Sequence, residues 1–109
     1  MNMMTMDLAQ QRIEEKLRAM RPKFVAQVTD RLARLEDLRE VYCALPEDDE
    51  VREELVYGAH KLAGVAGMFG APELGDLARA AEIALAGKAP DALDRLDDLL
   101  GEMALIASE

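Results

Sequence analysis

Apolar residues recur at spacings of three and four along most of this chain, which is the pattern of an amphipathic α-helix. The longest run comprises Phe24, Val28, Leu32, Leu35, Leu38 and Tyr42. A half-buried β-strand would need apolar residues at every second position, and the sequence contains no such alternation. It also contains no tryptophan and only two phenylalanines and two tyrosines. The sequence therefore predicts helices packed on helices around an aliphatic core.

Prolines and glycines divide the chain into its predicted helices, because proline is favoured at the first helical position and glycine after the last. The prolines are Pro22, Pro46, Pro72 and Pro90, and Gly70 and Gly87 precede the last two. We expect helices over about 7–20, 22–44, 46–69, 72–86 and 90–107. Short connections make consecutive helices antiparallel. The predicted fold is all-α, a single domain over residues 1–109, built as an up-down antiparallel four-helix bundle with a short additional N-terminal helix.

The charge and composition exclude several classes of function. A net charge of −9 disfavours binding to nucleic acid or to an anionic membrane surface, since both need clustered basic residues. No apolar stretch approaches the roughly 20 residues of a membrane span, and the first residues show no signal-peptide pattern. Cys43 is the only cysteine and cannot form an internal disulfide, which fits a reducing compartment. We expect a cytoplasmic protein whose partners are other proteins.

His60 is the only histidine, and helical geometry turns it away from the predicted core. At 100° per residue, the apolar stripe on the opposite side of its helix comprises Val51, Leu55, Leu62, Val65 and Phe69. Side chains on a helix lean toward its N-terminus, so a side chain one turn after His60 would cover the imidazole. That position is Gly64, and Gly67 extends the clearing. The pattern predicts an exposed histidine that another protein can approach closely.

The residues alone leave simpler interpretations open. A lone histidine on a helix is usually an incidental surface residue, and interior glycines often serve helix packing. Gly58, on the core side, fits that role, whereas Gly64 and Gly67 face away from the core. One histidine and one cysteine do not make a zinc site. The acidic clusters at 47–50 and 91–98 are typical of helix starts and solvated faces, so we expect no metal site.

The segment His60–Leu74, HKLAGVAGMFGAPEL, resembles the signature of the histidine phosphotransfer (HPt) domain family. That signature has a phospho-accepting histidine, a leucine two residues later, a glycine four residues later, and a small residue and a glycine before the next helix. The resemblance implies that His60 is the phospho-acceptor. Many members have a lysine three residues after the histidine, where this chain has Ala63. Lys61 is our candidate for the supporting positive charge.

The resemblance also implies a place in a two-component phosphorelay. His60 would take a phosphoryl group from an aspartate on the receiver domain of a hybrid sensor kinase and pass it to the receiver aspartate of a response regulator. Such a protein is a carrier and not an enzyme, because the receiver supplies the magnesium and most of the catalytic groups. The sequence has no glycine-rich nucleotide loop and no Walker lysine motif. We expect no cofactor and no small-molecule substrate.

The predicted docking surface around His60 comprises Val56, Gly64, Gly67 and Met68. The glycines leave room for a receiver, and the two larger residues offer apolar contact. A non-phosphorylated helical adaptor or inhibitor that binds a kinase or receiver is the alternative. The histidine in its clearing favours the carrier, because an adaptor has no need of a nucleophile.

Overall fold

The computed structural model describes residues 7–109, which form four helices and no strand. The helices are α1 (Leu8–Ala44), α2 (Asp49–Met68), α3 (Pro72–Ala86) and α4 (Ala92–Ala107). Helices α1 and α3 each pack against both α2 and α4, and the connections between consecutive helices are short, so neighbours run antiparallel. The predicted all-α four-helix bundle is confirmed.

The prediction of a short additional N-terminal helix before Pro22 is wrong, because α1 continues through this proline as one helix of 37 residues. The residues before it, Ala19, Met20 and Arg21, are good helix formers, and none of them favours a turn. The stretch is exposed, so water can reach the Arg18 carbonyl that loses its hydrogen bond at the proline. The resulting helix is nearly twice as long as the 20-residue α2 and accounts for the 59 Å long axis.

Two tight turns hold α3 against its neighbours in the chain. After α2, Gly70 has a φ of 68°, and the Ala71 N–H donates to the Ala66 carbonyl oxygen at 2.9 Å. This is the Schellman motif of helix ends, whose left-handed position favours glycine. The same bonding pattern follows α3, where Gly87 ends the helix as predicted and the left-handed residue is Lys88, with a φ of 53°.

The helix starts follow the proline pattern only in part. Pro72 is the first residue of α3, as predicted, whereas the prolines before α2 and α4 lie in the connecting turns. Helix α2 begins after Asp48, whose carboxylate accepts hydrogen bonds from the N–H groups of Glu50 at 2.9 Å and Val51 at 3.2 Å. A capping carboxylate satisfies donors that have no partner within the helix, so it sets the start of α2 better than Pro46 does.

The core is apolar, and within residues 7–109 no polar or charged side chain is buried. Its largest fully buried side chains are Phe24, Val28, Leu55, Leu62, Leu74, Leu85, Leu96, Leu99 and Met103. Helices α2 and α3 approach closely, since a Cβ atom at Gly75 would lie 3.5 Å from the Ala66 Cβ. Across the same range, none of the helices is both long enough and apolar enough to span a bilayer.

Candidate functional site

His60 lies near the middle of α2, on the face turned away from the core, and its side chain is 69% exposed. On the opposite face, Leu55, Leu62 and Val65 are buried, as the predicted apolar stripe requires. The predicted orientation of His60 is therefore confirmed.

A carboxylate on the neighbouring helix is hydrogen-bonded to one of the two ring nitrogens of His60. Glu82 of α3 places Oε2 at 2.9 Å from His60 Nδ1, and the Glu82 side chain is 27% exposed. An ionised carboxylate can only accept a hydrogen bond, so Nδ1 carries the proton in this contact. In the neutral ring, Nε2 then carries the lone pair and is the nucleophilic nitrogen.

A shallow concavity of about 350 Å³ lies between α2 and α3 at this point. Its lining residues are His60, Ala63, Gly64, Arg79 and Glu82. The other α2 residues that line it, Ala63 and Gly64, are small. Apart from the backbone of α2 itself, no atom lies within 4 Å of a Cβ placed at Gly64 or at Gly67. The predicted clearing is therefore open space in the structure, and α3 contributes Glu82 and Arg79 to its lining.

Lys61, the candidate for the positive charge, is directed toward the other side of α2. Its Nζ lies 5.1 Å from the centroid of the Tyr57 ring, within the range of a cation–π interaction. It lines a groove between α1 and α2 together with Arg31 and Arg34. The structure does not place it in the concavity of His60, and its phosphoryl-supporting role stays a prediction.

The predicted docking residues, all on α2, differ in their exposure. Gly64, Gly67 and Met68 are exposed, the last at 73%, whereas Val56 is half-buried against the core. Tyr57, which the sequence reasoning did not select, is 62% exposed and adds an aromatic surface one turn before the histidine.

Sequence reasoning missed two further residues of the site, Glu82 and Arg79. The signal that could have found them is their spacing about the turn between α2 and α3. Glu82 lies as many residues after Ala71 as His60 lies before it, and Arg79 is related to Ala63 in the same way. Two antiparallel helices have the same rise per residue, so such pairs lie at equal heights.

This arrangement defines a helical bundle that presents one exposed imidazole, oriented by a neighbouring carboxylate, at a shallow concavity. The family model of the Hpt domain matches residues 7–108, and the chain belongs to that family. No curated protein and no solved structure matches the chain. Hpt domains are phosphotransfer carriers in phosphorelays, and their partners are receiver domains of two-component systems. The resemblance found in His60–Leu74 is confirmed.

Within residues 7–109, the His, Cys, Asp and Glu side chains form no group of three that could hold a metal ion. Besides His60, the charged residues that line the concavity are Glu82 and Arg79.

Proposed function

We propose that this protein carries a phosphoryl group on His60 between two receiver domains. It accepts the group from a receiver aspartate of a hybrid sensor kinase and passes it to a receiver aspartate of a response regulator, and residues 1–109 act as one unit in both steps. The observation that supports this proposal is the exposed imidazole whose Nδ1 is held 2.9 Å from Glu82, because that contact makes Nε2 the nucleophile.

In the accepting step, the lone pair of Nε2 forms the N–P bond while the P–O bond to the donor aspartate breaks. The donor carboxylate leaves with the electron pair of that bond. The ring becomes positively charged, because Nδ1 keeps its proton while Nε2 becomes phosphorylated. Glu82, hydrogen-bonded to that N–H, stabilises the new charge. When the acceptor aspartate attacks phosphorus, the N–P bond breaks and the neutral ring is regenerated.

The receiver supplies the magnesium ion and the remaining catalytic groups in this proposal. Phosphoryl transfer depends on alignment and on stabilisation of charge at the phosphoryl oxygens, and a receiver that closes over an exposed imidazole can provide both. The Hpt chain contributes a positioned nucleophile and the charges beside it. It is a carrier with no cofactor of its own.

The surface that meets the receiver comprises Val56, Tyr57, Gly64, Gly67 and Met68. Its support is the combination of an open clearing at the two glycines with exposed apolar surface at Met68 and Tyr57. Apolar surface of this kind loses contact with water when a partner covers it, which favours association.

Incubation with a phosphorylated receiver tests the proposal on the wild-type protein and on His60→Gln. The wild type should acquire an acid-labile, base-stable phosphate, and the variant should acquire none. The chain has one histidine, so a phosphohistidine also identifies its position. Circular dichroism of both proteins establishes that the substitution leaves the helices intact. Equal labelling of the two proteins would contradict the assignment of His60.

The same receiver, titrated into the unphosphorylated protein, separates the carrier from the adaptor or inhibitor. Binding without labelling of the wild type would favour the adaptor. Binding followed by labelling supports the carrier, because an adaptor does not need to accept the group.

A further inference from the structure

An arginine of α3 lines the concavity of His60, although the sequence pattern did not reveal it. Arg79 of α3 lines the same concavity as His60, Ala63 and Gly64, and its side chain is 60% exposed. Its Nη1 lies 3.4 Å from the position that a Cβ would take at Gly75. The side chain therefore extends toward the N-terminus of α3, and its guanidinium must turn toward Glu82 to reach a group bound to His60.

We propose that Arg79 binds the phosphoryl oxygens when His60 is phosphorylated. This inference rests on the proposed function, since it concerns the phosphorylated form of the same site. A phosphoryl group carries up to about two negative charges near neutral pH. Arginine presents a planar fork of N–H donors that matches two phosphoryl oxygens at once, which a lysine ammonium does not.

The residues opposite Arg79 explain how its side chain gains access. Ala63 lies at the same height on α2 and is small, so it leaves the concavity open to a side chain from α3. A long side chain at position 63 would occupy the space into which the guanidinium must move. Gly64 gives the same freedom on the outer side, where a Cβ would have no atom within 4 Å.

The charges around the concavity explain why a cation is needed there. Glu82 holds Nδ1 of the histidine and lines the same concavity, so its negative charge opposes a phosphoryl group on the other nitrogen. Arg79 lies one turn before Glu82 on α3 and offsets that repulsion. Lys61 lies on the other side of α2, with its Nζ over the Tyr57 ring.

Arg79 can change partners at little cost. In the unphosphorylated protein its Nη1 lies 3.4 Å from Asp76 Oδ1, and the side chains are 60% and 81% exposed. An exposed pair of this kind, three residues apart on one helix, contributes little to stability. Exchange of Asp76 for the phosphoryl oxygens therefore replaces a weak contact with a charge-assisted, two-point contact.

The test compares Arg79→Gln and Arg79→Lys with wild type, and uses Arg95→Gln as the matched control. Arg95 lies on α4, which packs against α1 and α3. Its replacement by glutamine therefore changes the net charge by the same amount as Arg79→Gln, but on a helix away from His60. We expect Arg79→Gln to slow transfer from a phosphorylated receiver about five- to tenfold, the loss of one exposed charge-assisted contact. Arg79→Lys should keep part of the rate, and Arg95→Gln all of it.

A second readout does not depend on any receiver. Phosphoramidate, a small phosphoryl donor, labels the histidine chemically, and ³¹P NMR then follows the phosphoryl titration with pH. A neighbouring guanidinium favours the doubly charged form, so Arg79→Gln should move the titration midpoint to higher pH while Arg95→Gln leaves it unchanged.

The outcomes separate the two proposals. Equal phosphoryl titration midpoints in wild type and Arg79→Gln would overturn the contact between Arg79 and the phosphoryl group. If the midpoints are equal but Arg79→Gln transfers more slowly, Arg79 acts in receiver docking instead. If receivers fail to label a wild-type protein that phosphoramidate labels, the proposed function is overturned while the titration still decides whether Arg79 binds the phosphoryl group.

Discussion

Replacement of Gly64 by alanine and by glutamine tests whether the clearing beside His60 serves receiver docking. Gly64 lies inside α2, and a Cβ there would have no atom within 4 Å. Glycine inside a helix is about 1 kcal/mol less favourable than alanine, so Gly64→Ala should raise the free energy of unfolding by about that amount. The unfolding entropy is about 2.1 cal/mol/K per residue, so this 109-residue chain should melt roughly 4 °C higher.

Gly64→Gln should keep the helix stable but obstruct the histidine. Glutamine is a good helix former, and its side chain would lean toward the N-terminus of α2, over the imidazole. In the proposed function a receiver must bring its aspartate into line with Nε2, and a misplacement of about 1 Å can cost about 100-fold in rate. We expect transfer from a phosphorylated receiver to fall by about 100-fold, without any fall in melting temperature.

Gly101 provides the matched control for both variants. It lies inside α4, and a Cβ there would also have no atom within 4 Å. Gly101→Gln should therefore stabilise the fold while transfer continues at the wild-type rate. Melting followed by circular dichroism and the rate of phosphate loss from the labelled receiver are the two measurements. Wild-type transfer by Gly64→Gln would refute the docking role, and a lower melting temperature for Gly64→Ala would refute the open space.

Three further predictions concern helix ends and one surface carboxylate. Asp48→Ala should lower the free energy of unfolding in urea by about 1 kcal/mol, because it removes the side-chain acceptor at the start of α2; an unchanged value would contradict the cap. Gly70→Ala should lower it by about 1–2 kcal/mol, since the backbone there has a φ of 68°; a neutral result would show that the turn relaxes. The hydrogen bond from Arg52, with the charge of Lys88, holds the pKa of the Asp49 carboxyl below its usual value. The stability that this shift contributes is present above the unfolded-state pKa of Asp49 and is lost as the pH falls through its folded-state pKa. NMR titration should therefore show a low midpoint for Asp49 that rises in Arg52→Ala.

The helices and their buried faces could be predicted because local patterns determine them. The apolar spacing of α2 identified its buried side and, by exclusion, the exposed side with His60. Local rules failed at Pro22, because the rule that proline ends a helix competes with the helix propensity of the residues around it. At α2 the capping carboxylate of Asp48, and not Pro46, marks the start of the helix.

The composition of the site could be predicted only on its α2 side. Lys61 is next to His60 in sequence, but successive residues on a helix are about 100° apart, so the two side chains leave α2 in different directions. Arg79 is distant in sequence, yet it shares the concavity. Which charges surround the histidine therefore depends on the register of α2 against α3, which the turn at Gly70 establishes and the apolar pattern does not specify.

The same register explains how His60 is both exposed and oriented. The buried residues of α2 and α3 include a set of small ones: Ala59, Ala63 and Ala66 on α2, and Gly75, Ala78 and Ala81 on α3. Small side chains allow two helices to approach closely, and this approach lets a glutamate on α3 reach a histidine that points away from the core. Larger residues here would bury more apolar surface but would move α3 outward, and the 2.9 Å contact would lengthen beyond hydrogen-bonding range. The small residues therefore reduce the apolar surface that the core buries, but they let Glu82 orient the imidazole without covering it. A carrier needs such an imidazole if two different receivers must reach the same nitrogen.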